Sequence, residues 1–357
     1  MLVLIVLLVI FGLAVLFSSS EYNGRVRFGD SACYFKKQLF ATALGMGVMY
    51  MVSSIDYHFF LRLGPVAYLI SMFLSGAVLF VGQEINGSKR WLNLGPLSFQ
   101  PSEFAKVAVI LFLAWQIERT KKATMGFGFM CRTILTLLPI IGLVGSNNLS
   151  TAIIVMAITV LLLFLVHPKT KRFVVFACVV LVLAVIVVVY LKIQISDMAT
   201  STDFRMRRII AWLNPEANSD KDSYQFLQGL YAIGSGGFFG KGLGNSTQKL
   251  SAIPEAQNDM ILTVICEELG VFGAILILCL FGFMLYRLMF IARNAPDLYG
   301  SLIAAGIFSH IALQVILNIA VVTGLIPTTG VTLPFISYGG TACLLYTSPS
   351  PRDSTSS

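Results

Sequence analysis

An acidic, proline-led run, Ile253-Pro254-Glu255-Ala256-Gln257-Asn258-Asp259, leads into the apolar stretch MILTVICEELG, so that four carboxylates, Glu255, Asp259, Glu267 and Glu268, fall within fourteen residues. Carboxylates beside or inside a bilayer are costly unless they are paired, solvated or used. Pro254 suits the first turn of a helix, which predicts Glu255 and Asp259 one turn apart at its positive end. Glu267 and Glu268 then lie about 12 to 13.5 Å beyond Asp259, at 1.5 Å per residue. A rim carboxylate close to water and to basic residues can act as a general base, its pKa set by burial or by a neighbouring acid. Asp259 is the candidate base, and Glu255 its tuning or substrate-orienting neighbour. Spacing alone leaves a second reading open, in which Asp259 only solvates the helix entrance. Glu267 and Glu268 read as structural acids that need buried partners, with Lys106 a candidate.

Cations that could face such a base lie in two places. The segment GSKRWLNLGPLSFQPSEFAK supplies Lys89 and Arg90, then Glu103 and Lys106 on a helix opened by Pro101. Glu103 and Lys106 are three apart and share a helix face, which suits a packing ion pair and a substrate contact equally. The run STDFRMRRIIAWLNPEANSDKDSYQFLQGLYAIGSGGFFGKGLGNSTQK adds Arg207, Arg208, Lys241 and Lys249. Its glycine-dense second half could wrap an anion with backbone N–H groups but lacks the spacing of a nucleotide loop. Phe226, Leu227, Leu230 and Tyr231 recur at helical spacing and predict a short amphipathic helix. Near the end, GLIPTTGVTLPFISYGG predicts a broken, re-entrant entry to a last helix, which membrane depth tolerates only where it packs on protein or lines a cavity. It is a candidate wall of the same site, with Ser337 a candidate substrate contact.

The elements that must position these residues are transmembrane helices. The chain is 57% hydrophobic and 12% charged, with a mean hydropathy of +0.83, whereas soluble domains carry about 25% charged residues. Segments long enough to cross a core of about 30 Å begin as ten candidates, at residues 1–18, 38–53, 65–82, 103–116, 133–146, 150–166, 173–191, 259–286, 299–324 and from about 335. The fold class is therefore all-α and polytopic, with a large loop over 192–258 between the seventh and eighth spans. Only Gly145-Ser146-Asn147-Asn148 separates the fifth and sixth candidates, so one broken span is an alternative there. Lys and Arg placement in the short loops favours an inside N-terminus, which puts the 192–258 loop outside. A net charge of +8 with basic residues on that face suits lipid headgroups or a phosphorylated substrate. The tail TSPSPRDSTSS, residues 347–357, interrupts the last helix and reads as a truncated or artefactual terminus, which leaves 1–346 as the membrane domain. The six cysteines include no C-x-x-C pair and predict neither a disulfide nor a zinc site. The three histidines show no metalloprotease spacing.

Four blocks, GSKRWLNLGPLSFQPSEFAK, YQFLQGLYAIGSGGFFGKGLG, IPEAQNDMILTVICEELG and GLIPTTGVTLPFISYGG, resemble in type and order the SEDS family of shape, elongation, division and sporulation proteins, which includes FtsW, RodA and SpoVE. The resemblance runs from about residue 1 to 345. It implies an inverting glycosyltransferase that polymerises lipid II into peptidoglycan at the outer face of the bacterial cell membrane, releasing undecaprenyl pyrophosphate. Asp259 matches the family's catalytic aspartate. Lipid II, membrane lipids and a class B penicillin-binding protein transpeptidase are the implied partners, with no nucleic acid. No cofactor is certain: a divalent cation, Mg or Mn, could share the diphosphate charge, but no ligand cluster in the sequence commits to one. Two other readings are a lipid II transporter and a scaffold for the transpeptidase. The chain departs from the family at Asn147-Asn148, where an acid is usual, and at Thr332, where many members have proline. The RMRRIIAWLNP and TLPFISYGG runs lean towards the FtsW and SpoVE side.

Overall fold

The computed structural model describes residues 1–85, 88–94, 97–120, 126–167, 171, 204–213, 215, 221–248 and 256–339. Within them the chain forms α1 (Leu2–Phe28), α2 (Cys33–Ser53), α3 (His58–Val81), β1 (Gln83–Ile85), β2 (Ser88–Leu94), β3 (Leu97–Phe99), α4 (Pro101–Glu118), α5 (Phe127–Asn147), α6 (Leu149–Val166), α7 (Phe204–Leu213), α8 (Lys221–Gly236), α9 (Ile261–Arg293) and α10 (Leu298–Val322). Six of these helices, α1, α3, α5, α6, α9 and α10, are long and apolar enough to cross a membrane. The expected spans up to 150–166 coincide with α1 to α6, and those at 259–286 and 299–324 with α9 and α10. The span expected at 173–191, the polar tail, and all but residues 335–339 of the last span lie outside the described residues.

α2 and α4 match expected spans but carry charges, Lys36 and Lys37 in the first, and Glu103, Lys106 and Glu118 in the second. For α4 the reason those charges are tolerated is its place at the centre. It packs on α3, α6 and α10, and Ala105, Ala108, Val109, Leu113, Ala114 and Ile117 around its circumference are fully buried. Lys106 and most of Glu103 therefore meet protein and not lipid, while Glu118 is exposed at the last residue of the helix. The outer helices turn large apolar residues outward, among them Phe73, Phe80, Phe283 and Phe290, the surface a bilayer requires. Close approach at the centre is set by small residues: a Cβ on Gly306 of α10 would lie 2.4 Å from the Ile110 side chain of α4.

The division at Asn147-Asn148 resolves into two helices. Asn148 leaves helical geometry at φ −139°, ψ 83°, and its side chain accepts from the Thr151 N–H, an N-cap that starts α6. The segment before α4 forms a small antiparallel sheet in the order β1-β2-β3, with Glu84 opposite Lys89 and Leu92 opposite Phe99. Strands of three to seven residues are too short to show a period in sequence. The expected amphipathic helix is α8, which buries Ser223, Phe226 and Ala232 and exposes Tyr224 and Tyr231.

The glycine-dense turn after α8 does not cradle an external anion; it is built into α9. That helix breaks at Gly270, φ 68° and ψ −168°. The amides of Lys241 and Gly242 donate to the carbonyls of Glu267 and Glu268, while those of Val271 and Phe272 donate to Gly237 and Phe238. These four groups of α9 are the ones an unbroken helix would pair with each other. The turn thus pairs these four backbone groups that the break frees, as a low-dielectric setting demands.

Candidate active site

Asp259 lies just before α9 and not on it. Residues 256–260 form turns and the helix starts at Ile261, which corrects the expected start near Pro254. The physical cause is a side chain from another helix: Asn318 of α10 donates to the Asp259 carbonyl at 2.9 Å and to the Val331 carbonyl at 2.8 Å. The Asp259 carbonyl is thereby held outside the helical ladder. Asn318 is fully buried and ties the entrance of α9 to the segment after α10.

That segment, residues 323–339, is irregular as expected, with left-handed backbone at Gly324, Gly330 and Phe335. Val331, Leu333, Phe335, Ile336 and Ser337 are buried, and Gly12 of α1 packs against the backbone of Phe335 and Ile336. The stretch from Gly324 to Gly330 is pinned from three sides. Trp212 donates to the Gly324 carbonyl at 2.7 Å, Arg208 to the Thr328 carbonyl at 3.4 Å, and Ser150 to the Thr329 carbonyl at 3.1 Å. α7, a short amphipathic helix, supplies two of these anchors.

Gly330 marks where the charges meet. A Cβ built there would lie 3.9 Å from Asp259 Oδ2 and 3.9 Å from Arg90 Nη1. The carboxylate and the guanidinium are therefore within twice that distance of each other, beside a position with no side chain. Arg90 is anchored by its Nε, which donates to the Asn147 carbonyl at 2.9 Å, while Asn147 Nδ2 donates to the Lys89 carbonyl at 2.8 Å. β2 is thus fastened to the end of α5.

The other sequence candidates separate. Lys106, 1% exposed, pairs with Glu103 at 2.8 Å. Glu267 takes a different cation: Lys241 at 2.7 Å, with Ser246 and the Thr247 amide and hydroxyl completing its shell. Glu268 accepts from Ser18 of α1 at 2.6 Å. The expected partnership of Lys106 with these acids is therefore corrected, and Lys241 is already neutralised by Glu267. Ser337 is 1% exposed and accepts from the Leu333 amide at 2.8 Å, so it shapes the loop from inside and offers no surface to a substrate. Lys249 and Glu255 lie outside the described residues, as does the side chain of Arg207. Among the described residues no three His, Cys, Asp or Glu gather where they could hold a metal ion.

The Glu103–Lys106 pair permits a direct check. Lys106→Met leaves the Glu103 charge without its partner and is expected to destabilise by about 3–5 kcal/mol. Adding Glu103→Gln removes the stranded charge and should recover most of that loss in thermal unfolding of the purified protein. Additive losses would contradict the pairing.

Asn318, Asn147 and Ser150 are site residues that the sequence patterns do not single out. A signal does exist for the first, since His310, Gln314 and Asn318 recur four apart within an apolar span, and polar residues there are expensive unless they have a role.

Comparison with known proteins follows the same lines. A family model described as "Cell cycle protein", FTSW_RODA_SPOVE, matches residues 1–349. The chain is 37% identical to "Stage V sporulation protein E" of Bacillus subtilis, over 96% of this chain and 92% of that protein. It is 34% identical to "Probable peptidoglycan glycosyltransferase FtsW" of Trichlorobacter lovleyi, over 97% and 89%. Its fold is similar to that of a chain in the solved structure "Structural coordination of polymerization and crosslinking by a peptidoglycan synthase complex", with a TM-score of 0.75 and 27% identity, covering 97% of this chain and 94% of the other.

Proposed function

Because the chain belongs to the cell cycle protein family of FtsW, RodA and SpoVE, we propose that it is a peptidoglycan glycosyltransferase that joins lipid II into glycan strands with release of undecaprenyl pyrophosphate. The observation that carries this reading is the convergence of Asp259 Oδ2 and Arg90 Nη1 on Gly330, which brings a base and a cation together at one place. Asp259 removes the proton from the sugar 4-hydroxyl of one lipid II. The freed oxygen attacks the anomeric carbon of the growing chain, and the bond to the diphosphate breaks with its electron pair leaving on the diphosphate oxygen. Attack from the face opposite the leaving group inverts that carbon. The negative charge that develops is stabilised by fixed positive charge in a site of low dielectric, which Arg90 supplies, with Lys89 beside it and Arg208 on the Gly324–Gly330 wall. A diphosphate leaves without being protonated, so one base suffices where ordinary glycoside hydrolysis needs two carboxylates.

On this reading the site opens on the outer face of the cell membrane, and a class B penicillin-binding protein cross-links the product. The relatives named Stage V sporulation protein E and FtsW support placing the chain on the FtsW and SpoVE side of the family. The test is reconstitution in liposomes with fluorescent lipid II and the transpeptidase partner. Glycan strands are the expected product. Lipid II crossing the bilayer without polymer would replace this reading with a transporter, and neither outcome would leave a scaffold.

A further inference from the structure

The turn that carries Asp259 is held a second time, two residues earlier. Gln257, 2% exposed, accepts from Asn23 Nδ2 of α1 at 3.0 Å through its side-chain oxygen, and from the Tyr338 amide at 2.9 Å through its backbone carbonyl. α2 grips the same stretch. The Gly339 amide donates to Gln38 Oε1 at 3.2 Å, and the Tyr338 ring meets Tyr34 edge-on, with centroids 5.2 Å apart. We infer that Asn23 and Gln257 are positioning residues for the base, fixing the turn of Asp259 against the segment that carries Gly330. The inference rests on the glycosyltransferase reading above for the reaction, and on these contacts for the geometry.

Residues 256–260 precede the helical ladder of α9, so their place is set by what reaches them from elsewhere in the chain. Asn318 fixes the Asp259 carbonyl and, through the Val331 carbonyl, one end of the segment beside it. A turn held at one point can pivot about it. The bonds of Gln257 supply a second point, tied to α1 by its side chain and to Tyr338 by its backbone. The anchors on α1 and α2 share one frame. Gly29, at φ 70°, closes α1 with its amide on the Arg25 carbonyl at 3.1 Å, and Asp30 accepts from the Ala32 amide at 2.9 Å where α2 begins. Gly24 packs so closely on this junction that a Cβ would lie 2.8 Å from the Asp30 carbonyl oxygen. Asn23, Tyr34 and Gln38 therefore keep a fixed relation to one another.

A second anchor matters to proton transfer. A general base works within hydrogen-bond reach of the proton it takes, about 2.6–3.2 Å, and a misplacement of about 1 Å can cost about 10²-fold. Neither bond of Gln257 involves the Asp259 carboxylate, so breaking one displaces the base without changing its chemistry. The expected signature is a fall in kcat at constant KM, as for any interaction realised only in the transition state.

The test uses the full chain with its transpeptidase partner in liposomes, and measures kcat and KM for lipid II beside thermal unfolding. Asn23→Ala deletes the donor and places the best helix former in α1; Gln257→Ala deletes the acceptor. Each is expected to lower kcat about tenfold with KM within about twofold. The double variant should fall no more than about twofold below the poorer single variant, since both remove one bond. Asn23→Asp should recover kcat to within about threefold of wild type, because the Gln257 amide can turn and donate its NH2 to the new carboxylate. Hydrogen exchange gives a reading free of turnover: protection of the Tyr338 amide should fall at least about fivefold in Asn23→Ala and be retained in Asn23→Asp. Wild-type kcat in both alanine variants would overturn the positioning role. So would losses that multiply in the double variant, a loss carried by KM, or no rescue by Asn23→Asp. If wild type makes no glycan yet the exchange pattern holds, the polymerase reading fails and the anchor stands; unchanged exchange in Asn23→Ala would remove the anchor itself.

Discussion

Alanine at Gly270 is expected to prevent accumulation of folded protein. The backbone there sits at φ 68°, ψ −168°, a region essentially confined to glycine, where another residue costs about 1–3 kcal/mol in strain alone. A Cβ would also lie 2.4 Å from the Gly240 nitrogen and from the Phe238 carbonyl oxygen. Neither atom can retreat, because the turn that carries them supplies the partners for the Glu267 and Glu268 carbonyls and for the Val271 and Phe272 amides. Moving the turn would strand those groups and draw Lys241, Ser246 and Thr247 away from the buried Glu267 carboxylate. The combined cost should exceed about 4 kcal/mol, in a range where total stability is about 5–15 kcal/mol. Gly282 of the same helix is the control, since a Cβ there meets nothing within 4 Å and alanine should stabilise by up to about 1 kcal/mol. The yield of monodisperse protein by fluorescence-detected gel filtration reads both. Wild-type yield for Gly270→Ala would contradict the account of the break.

The contrast between Gly270 and Asp259 shows what the sequence makes legible. Residue type and local order are enough to expect a helical membrane bundle, a paired Glu103 and Lys106, a helix over Phe226 to Tyr231 and a broken segment after Gly324. Each depends on neighbours within a few turns. What is not legible depends on distant parts of the chain. Asn318 reaches the Asp259 carbonyl across 59 residues and Arg90 reaches the Asn147 carbonyl across 57, and no local period announces either. The glycine-dense turn has the right chemistry for an anion, yet the anion it wraps is Glu267, twenty or so residues further on. Lys241 differs from its expected role for the same reason, since charge is visible in sequence and its neutralisation is not. Ser337 differs because a hydroxyl in a loop looks accessible until its burial is known. The sheet before α4 leaves no trace in the sequence because strands this short carry no pattern, though they set the position of Arg90.

Asp259→Asn is expected to stop polymerisation while leaving the fold intact. The substitution preserves side-chain volume, and the bond from Asn318 to the backbone carbonyl of this residue is kept, so the variant should still accumulate as folded protein. What is lost is the group that takes the sugar proton, and the rate should fall by about 10³-fold or more, within the range general-base catalysis supplies. Asp259→Glu keeps the charge but moves the carboxylate by one methylene, and a displacement of about 1 Å can cost about 10²-fold, so it should fall between the two. The decisive measurement is the rate of glycan formation from lipid II by wild type and Asp259→Asn, each reconstituted at equal folded concentration with the transpeptidase partner. A ladder of strands from wild type and none from the variant is the predicted result; polymerisation by Asp259→Asn at the wild-type rate would contradict the assignment of the base.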